Sequence, residues 1–186
     1  MKTQTAFTLI ELMATLAVAA ILVTVALPNL RYMLVSNRIT SKTNELVRVI
    51  NYAKSESIIR PSNIIRIEAR QEEPDTEIDV NNEWGAGWQI GTDSNNDGLD
   101  DDEIVKVFEF DDQIIVNETF ANQDSIIFRR GRVNRASCNG KCIFVICNEG
   151  HPRGKIITLR QTGRTKTETC SMNNNDNEEP PCNCFN

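Results

Sequence analysis

The feature that most constrains this chain is a long apolar run near its start, Phe7 to Leu27, interrupted only by Thr8, Glu11, Thr15 and Thr24. As a helix rising about 1.5 Å per residue, such a run matches roughly the 30 Å hydrocarbon core of a bilayer. It is longer than the apolar core of an ordinary secretory signal, and it flows into more helical pattern instead of a small-residue cleavage site. A single membrane-spanning helix over residues 7–27 is therefore expected, behind a short polar leader, residues 1–6, that carries one positive charge at Lys2. Pro28 follows the run, and a proline inside a helix removes a hydrogen bond and crowds the preceding turn, so a kink or local melting is expected there. Beyond it Val35, Ile39, Leu46, Ile50 and Ala53 recur at helical spacing, with Arg38, Lys42, Glu45 and Arg48 between them. This pattern extends the helix as an amphipathic segment over residues 30–60 that lays one stripe on a globular head. Arg60-Pro61 is the expected stop, because the residue before a proline disfavours the helical region.

Glu11 stands out within the run. A carboxylate on an apolar helix costs about 2.5 to 3.5 kcal/mol at the bilayer centre, so it calls for a partner even near one end of the span. The stretch Phe7-Thr8-Leu9-Ile10-Glu11-Leu12, after a short basic leader, resembles the processing signal of type IV prepilins and type II secretion pseudopilins. That resemblance implies cleavage between Ala6 and Phe7 by a dedicated prepilin peptidase and methylation of the new N-terminus at Phe7. It also makes Glu11 the assembly carboxylate, which offsets the terminal amine of a neighbouring subunit. The family usually has Gly before the cut, and here the small residue is Ala6.

After Pro61 the texture changes to short runs rich in β-branched and aromatic residues, at 63–69, 87–92, 103–110, 113–117, 125–128, 141–147 and 155–160. Seven such runs at near-hairpin spacing predict antiparallel sheets packed on the helix. The expected fold is α+β and pilin-like: a long N-terminal helix on a β-rich head spanning 61–170. Residues 171–186 are rich in Asn, Glu and Pro and cannot bury a core, so a cysteine-tied tail is expected there. Within the head, Trp84-Gly85-Ala86-Gly87-Trp88, then Asp93-Ser94-Asn95-Asn96-Asp97-Gly98 and Glu103, resemble the GspH/FimT/FimU branch of minor pilins and pseudopilins. Phe128 with Arg130-Gly131, and the late Gly163-Arg164, extend that resemblance over most of the head.

Charge is segregated along the chain. From Glu68 to Asp124 there are 18 acidic residues against two basic ones, and from Ile126 to Cys170 ten basic against two acidic, which bears on partners and not on fold. In the first segment Asp93, Asn95 and Asp97 alternate before Gly98 like the start of a calcium loop. The twelfth position is Ile104 and not Glu, and a plain turn built on Asn and Asp accounts for the same letters. In the second segment Arg129, Arg130, Arg132 and Arg135 precede the cysteines, and Arg153, Lys155, Arg160, Arg164 and Lys166 follow them. Such clusters bind phosphates without reading sequence. In the FimT branch a late Gly-Arg-any-Arg motif is associated with DNA binding, and Gly163-Arg164-Thr165-Lys166 resembles it with Lys in last place. That makes Arg164, Lys166 and Arg160 DNA-binding candidates, against the plainer reading that a basic face meets an acidic one, its own or a neighbour's.

The six cysteines, Cys138, Cys142, Cys147, Cys170, Cys182 and Cys184, all lie in the last third. An exported head makes disulfides the default, with Cys170 expected to pair with Cys182 or Cys184 and the remaining pairings open. Zinc is disfavoured by irregular spacing and a single histidine, His151, in a turn-like Gly-His-Pro-Arg-Gly. No hydrolase motif, phosphate loop or metal-binding His pair is present, so no cofactor and no enzymatic activity are expected. The expected function is that of a minor pilin or pseudopilin, held in the inner membrane by one span with its head in the periplasm. By resemblance it helps initiate or cap a type IV pilus or type II secretion pseudopilus. The resemblance implies other major and minor pilins or pseudopilins, the peptidase and the inner-membrane assembly platform as partners, with DNA as the alternative ligand.

Overall fold

The computed structural model describes residues 8–70, 84, 87–100, 102–109, 114–118, 125–134, 137–138, 140–148, 150–172 and 182. Helix α1 runs from Leu9 to Ile59 and continues through position 28, so the proline there does not end or melt it. The chain forms two compact units, Met1–Val35 and Ser36–Asn186. In the first, Leu9, Ile10, Leu12, Met13, Leu16, Ile21 and Leu22 all stand exposed. In the second, Ile39, Thr43, Leu46, Ile50, Ala53 and Ser57 are buried, spaced four and three apart along one helix stripe. The expected amphipathic positions 39, 46, 50 and 53 thus form the stripe, which Thr43 and Ser57 complete. Each hydroxyl donates back along the helix, to the carbonyls of Ile39 at 2.7 Å and Lys54 at 2.8 Å, so neither needs water.

Nine strands follow: β1 (Ile64–Ala69), β2 (Gly87–Asp93), β3 (Ile104–Glu109), β4 (Ile115–Glu118), β5 (Ser125–Arg129), β6 (Arg132–Val133), β7 (Lys141–Cys147), β8 (Arg153–Arg160) and β9 (Thr165–Ser171). They form a five-stranded sheet in the order β3-β2-β1-β5-β6 and a four-stranded sheet in the order β4-β7-β8-β9. The ladders are antiparallel. The seven strands expected from sequence are all present, with ends shifted by at most two residues. β6 and β9 were not expected. β9 is an edge strand of alternating Thr with Lys166 and Glu168, so its signal is β-branching without an apolar face.

Alternation sets the inner faces. Ile65, Ile67 and Ala69 of β1 face the same side as Trp88 and Ile90 of β2 and Ile126 and Phe128 of β5, and all are buried. Phe144, Ile146, Ile157 and Leu159 do the same for the second sheet, and Trp84 meets the Phe144 ring edge-on at 5.0 Å. The second sheet is apolar on its other face too: Val145, Cys147 and Cys170 form a cluster with Ile115, Ile143, Ile156, Met172 and Cys182 packed on it. A disulfide joins Cys170 to Cys182, with Cα atoms 5.1 Å apart, and sets Cys182 against this cluster. Cys138 pairs with Cys142, and Cys147 is disulfide-bonded as well. Cys184 lies outside the described residues.

The helix end and two hairpin tips converge. Arg130 and Gly131 close β5–β6 with φ of 51° and 74°, the left-handed pair of a two-residue turn that matches strand twist. The Gly131 N–H donates to the Ser57 hydroxyl at 3.0 Å, and a Cβ at Gly131 would stand 2.7 Å from Ile58 Cγ1. Gly163, with φ of 68°, closes β8–β9, its N–H donating to the Arg160 carbonyl at 2.8 Å. A Cβ there would approach the Gly131 carbonyl to 2.9 Å. The Val133 N–H donates to the Gln161 carbonyl at 3.0 Å and ties the two tips together.

Because Leu46 is fully buried at the centre of the helix stripe, Leu46→Ala should destabilise the head by about 2–5 kcal/mol. Tyr52→Ala, at a half-exposed position on the same helix, should cost far less. Chemical unfolding of the two variants checks the contrast.

Candidate functional site

Three places in the molecule carry the residues singled out in the sequence. The first is the start of α1. Thr8 and Glu11 form a reciprocal cap: the Thr8 N–H and hydroxyl each donate to Glu11 Oε2 at 2.9 Å, and the Glu11 N–H donates to Thr8 Oγ1 at 3.3 Å. The signal for it was the Thr-x-x-Glu spacing itself, which the sequence reading absorbed into the assembly motif. Ala6 and Phe7, the expected cleavage pair, lie outside the described residues. Leu9 and Ile10 beside the cap are 77% and 75% exposed, and the apolar surface continues to Leu34. Among the described residues no helix is long and apolar enough to cross a membrane. Residue 7 and the side chains at 25 and 27, all within the expected 7–27 span, fall outside the description.

The second place is the β2–β3 turn. Asp93 is buried, and one of its carboxylate oxygens takes Arg66 Nε at 2.7 Å and Nη2 at 2.5 Å. The other takes the Asn96 N–H at 2.5 Å, and Arg66 Nη1 donates to the Ser125 hydroxyl at 2.9 Å. A buried ion pair is tolerable when its remaining hydrogen bonds are met, as they are here. Asn96, at φ 67°, and Gly98, at φ 142°, make the reversal. Asn95 donates to Asp97 at 2.8 Å, and the Ser94 N–H donates to Glu103 Oε1 at 2.8 Å. Asp93 thus faces Arg66 and Asn95 is bound to Asp97; among the described residues no group of three His, Cys, Asp or Glu side chains that could hold a metal ion forms.

The third place is the pair of hairpin tips. Arg160 and Arg164 stand exposed, side by side on one face across the β8–β9 turn, with Lys141 of β7 opposite Arg160 on the same face. Lys166 is on that face too, but it binds Glu168 at 2.7 Å and its charge is locally matched. The tie between the two tips brings Arg130 and Arg132 beside this face. Among the described residues no carboxylate pairs with Arg130, Arg132, Arg160 or Arg164. Of the residues expected from sequence, Arg160 and Arg164 thus stand exposed together, Lys166 is paired with Glu168, and Arg130 and Arg132 lie on the neighbouring tip. The signal was present as two turn glycines, Gly131 and Gly163, each flanked by arginine, but nothing in the sequence says that those turns meet. Arg135 lies outside the described residues. His151, whose Nδ1 is 2.8 Å from the Arg153 carbonyl, is part of the β7–β8 turn as its sequence context suggested.

Residues 42–163 match the family model described as "Type II transport protein GspH". The chain belongs to the GspH family. Its first 27 residues match the prokaryotic N-terminal methylation motif, so the start of α1 and the head point to the same class. GspH-type proteins are pilin and pseudopilin subunits, structural and not enzymatic, anchored in the inner membrane and assembled with other pilins after prepilin processing. The fold is similar to that of the Pseudomonas aeruginosa (strain PAO1) type IV minor pilin FimU, with a TM-score of 0.53 and 21% identity over 69% of this chain and 91% of that one. A second crystal form of FimU matches at a TM-score of 0.49 and 22% identity, over 72% and 90% of the two chains. No curated protein sequence matches significantly.

The acidic turn of this GspH-family head should respond to pH. The Ser94 N–H, then the Ser94 hydroxyl, hold the Glu103 carboxyl below the usual carboxylate range, and the nearby Arg66 charge adds to the effect. A carboxylate lowered in the folded state contributes stability above its unfolded pKa of about 4.3 and loses it as pH falls through the folded value. Glu103→Gln should therefore be less stable than the parent at neutral pH, and the gap should close as the medium is acidified below that unfolded value. Unfolding midpoints measured across this range check it; a gap independent of pH would contradict the assignment.

Proposed function

We propose that this chain is a minor pilin or pseudopilin that helps initiate or cap assembly of a type IV pilus or type II secretion pseudopilus. The carrying observation is the apolar surface that the described side chains between residues 9 and 34 expose, on a protein whose head, from residue 36, has a core of its own. Water does not tolerate such a surface, and lipid or the helices of other subunits do. Residues 7–27 supply the single span that holds the subunit in the inner membrane, with the head in the periplasm. Cleavage between Ala6 and Phe7 and methylation of Phe7 by the prepilin peptidase free the chain to leave that membrane. Glu11, already held at the helix start by Thr8, then meets the terminal amine of a neighbour. A low-dielectric bundle strengthens that pair relative to water.

The cap offers a way to separate folding from assembly. Gln serves at this capping-box position as well as Glu does, so Glu11→Gln keeps the helix start and removes the charge. It should accumulate in the membrane at parental levels but fail to enter the fibre. Glu11→Val, which removes both, should fail as well. Immunoblotting of sheared fibres against membrane fractions reads the outcome, and normal incorporation of the Gln variant would sink the pairing role.

Binding of DNA during uptake is the second reading, favoured by exposed arginines without carboxylate partners. Duplex retardation by the full chain in detergent should weaken steeply with salt and be lost in an Arg160→Ala, Arg164→Ala double variant. Lys166→Ala, which removes a cation already paired with Glu168, should change it little. Retention that ignores the arginine pair would count against this surface.

A further inference from the structure

Two lobes of opposite charge share one end of the head. Helix α1 ends there at Ile59, β1 begins there, and the register sets Ile64 of β1 opposite Asp93 and Ile65 opposite Phe128. The acidic β2–β3 turn and the β5–β6 tip therefore leave the five-stranded sheet at the same end. The β8–β9 tip joins them through the Val133–Gln161 hydrogen bond. The acidic lobe offers Asp97 and Asp102, both exposed and, among the described residues, without a cationic partner. The basic lobe offers Arg130, Arg132, Arg160 and Arg164, exposed and without an anionic one. The lobes adjoin, since Arg129 Nη2 lies 3.4 Å from Asn96 Oδ1, yet their outer charges do not pair with each other.

Rigidity keeps them apart. The β5–β6 tip is pinned to the helix by the Gly131–Ser57 hydrogen bond, and the β8–β9 tip is pinned to the β5–β6 tip. The acidic turn is fixed by the buried Arg66–Asp93 pair and the Ser94–Glu103 bond. Each lobe is thus tied into the head by its own bonds and not to the other lobe's outer charges. A surface that carries both signs side by side is complementary to itself after a half-turn: each acidic lobe then faces the partner's basic lobe, and every contact occurs twice. A long uniform polyanion would meet the acidic lobe as a repulsion. The net charge of −6 opposes association only weakly, because charges more than about 10 Å apart are screened at 0.1 M salt.

We propose that this end of the head docks on the same end of a second copy of this chain, through ion pairs between the Asp97/Asp102 lobe and the Arg130/Arg132/Arg160/Arg164 lobe. The contact does not depend on the pilin reading and uses none of the apolar surface of α1. Because it rests on exposed charges, it is weak and reversible, and it is lost as salt rises.

The experiment is a reciprocal charge swap, read by sedimentation velocity of the full chain in detergent micelles at low and high salt. The parent should self-associate at low salt and dissociate at high salt. Arg160→Glu with Arg164→Glu, and separately Asp97→Lys with Asp102→Lys, should each weaken self-association at least tenfold. An equimolar mixture of the two variants should restore it, which also shows that both are folded. A parent that stays monomeric at low salt, a swapped variant that associates as the parent does, or a mixture that fails to recover would each overturn the proposal. So would self-association insensitive to salt, which would place the contact on the apolar helices.

Discussion

One helix has to satisfy two different surroundings, and the rest of the molecule is arranged around that demand. From residue 39 to residue 57 its stripe of Ile39, Thr43, Leu46, Ile50, Ala53 and Ser57 is buried against strands. Up to Leu34 the described large apolar side chains are exposed. The stripe belongs to the core of the head, and the two pinned hairpin tips close on the last turns of the helix. The exposed part makes the chain a component. A molecule with a finished head and an uncovered helix has its remaining stabilisation waiting in a bilayer or a fibre.

The helix was the most legible element, because twenty-one nearly uninterrupted apolar residues and a following three-four spacing admit few alternatives. Seven strands were legible from β-branched runs between turn formers. β9 was not, since Thr165, Thr167 and Thr169 alternate with charges and show no apolar face, and β6 is only the two residues Arg132 and Val133. Glu11 was visible as an anomaly, but the Thr8 cap that holds it was overshadowed by the motif both residues belong to. Asp93 looked like a first calcium ligand because sequence order hides Arg66, which lies 27 positions earlier and is brought to it by the β1–β2 register. The same blindness to long-range pairing split the arginines of two hairpins into separate clusters. The Lys166–Glu168 pair, two residues apart on an edge strand, was within plain view in the sequence and went unremarked.

Segregated charge in the sequence could have meant two faces of one head or two partners. The structure gives a mixed outcome. Arg66 and Asp93 bring one pair of opposite charges inside, where they fix a turn, while Asp97, Asp102, Arg130, Arg132, Arg160 and Arg164 stay outside. Burial made Asp93 structural, while Asp97 and Asp102 of the same acidic stretch stay exposed.

The bridge between Cys170 and Cys182 has a further consequence. It joins β9 to a residue beyond every strand, and Gly154 lies between its sulfur and Cys147, where a Cβ would stand 3.0 Å from Cys182 Sγ. This closure cannot precede synthesis of all nine strands, and it needs a compartment that oxidises thiols. Without the bridge, nothing covalent would hold Cys182 on the cluster of Val145, Ile115, Ile143 and Ile156. The bridge therefore ties the tail down only after the whole head has been made and its thiols oxidised.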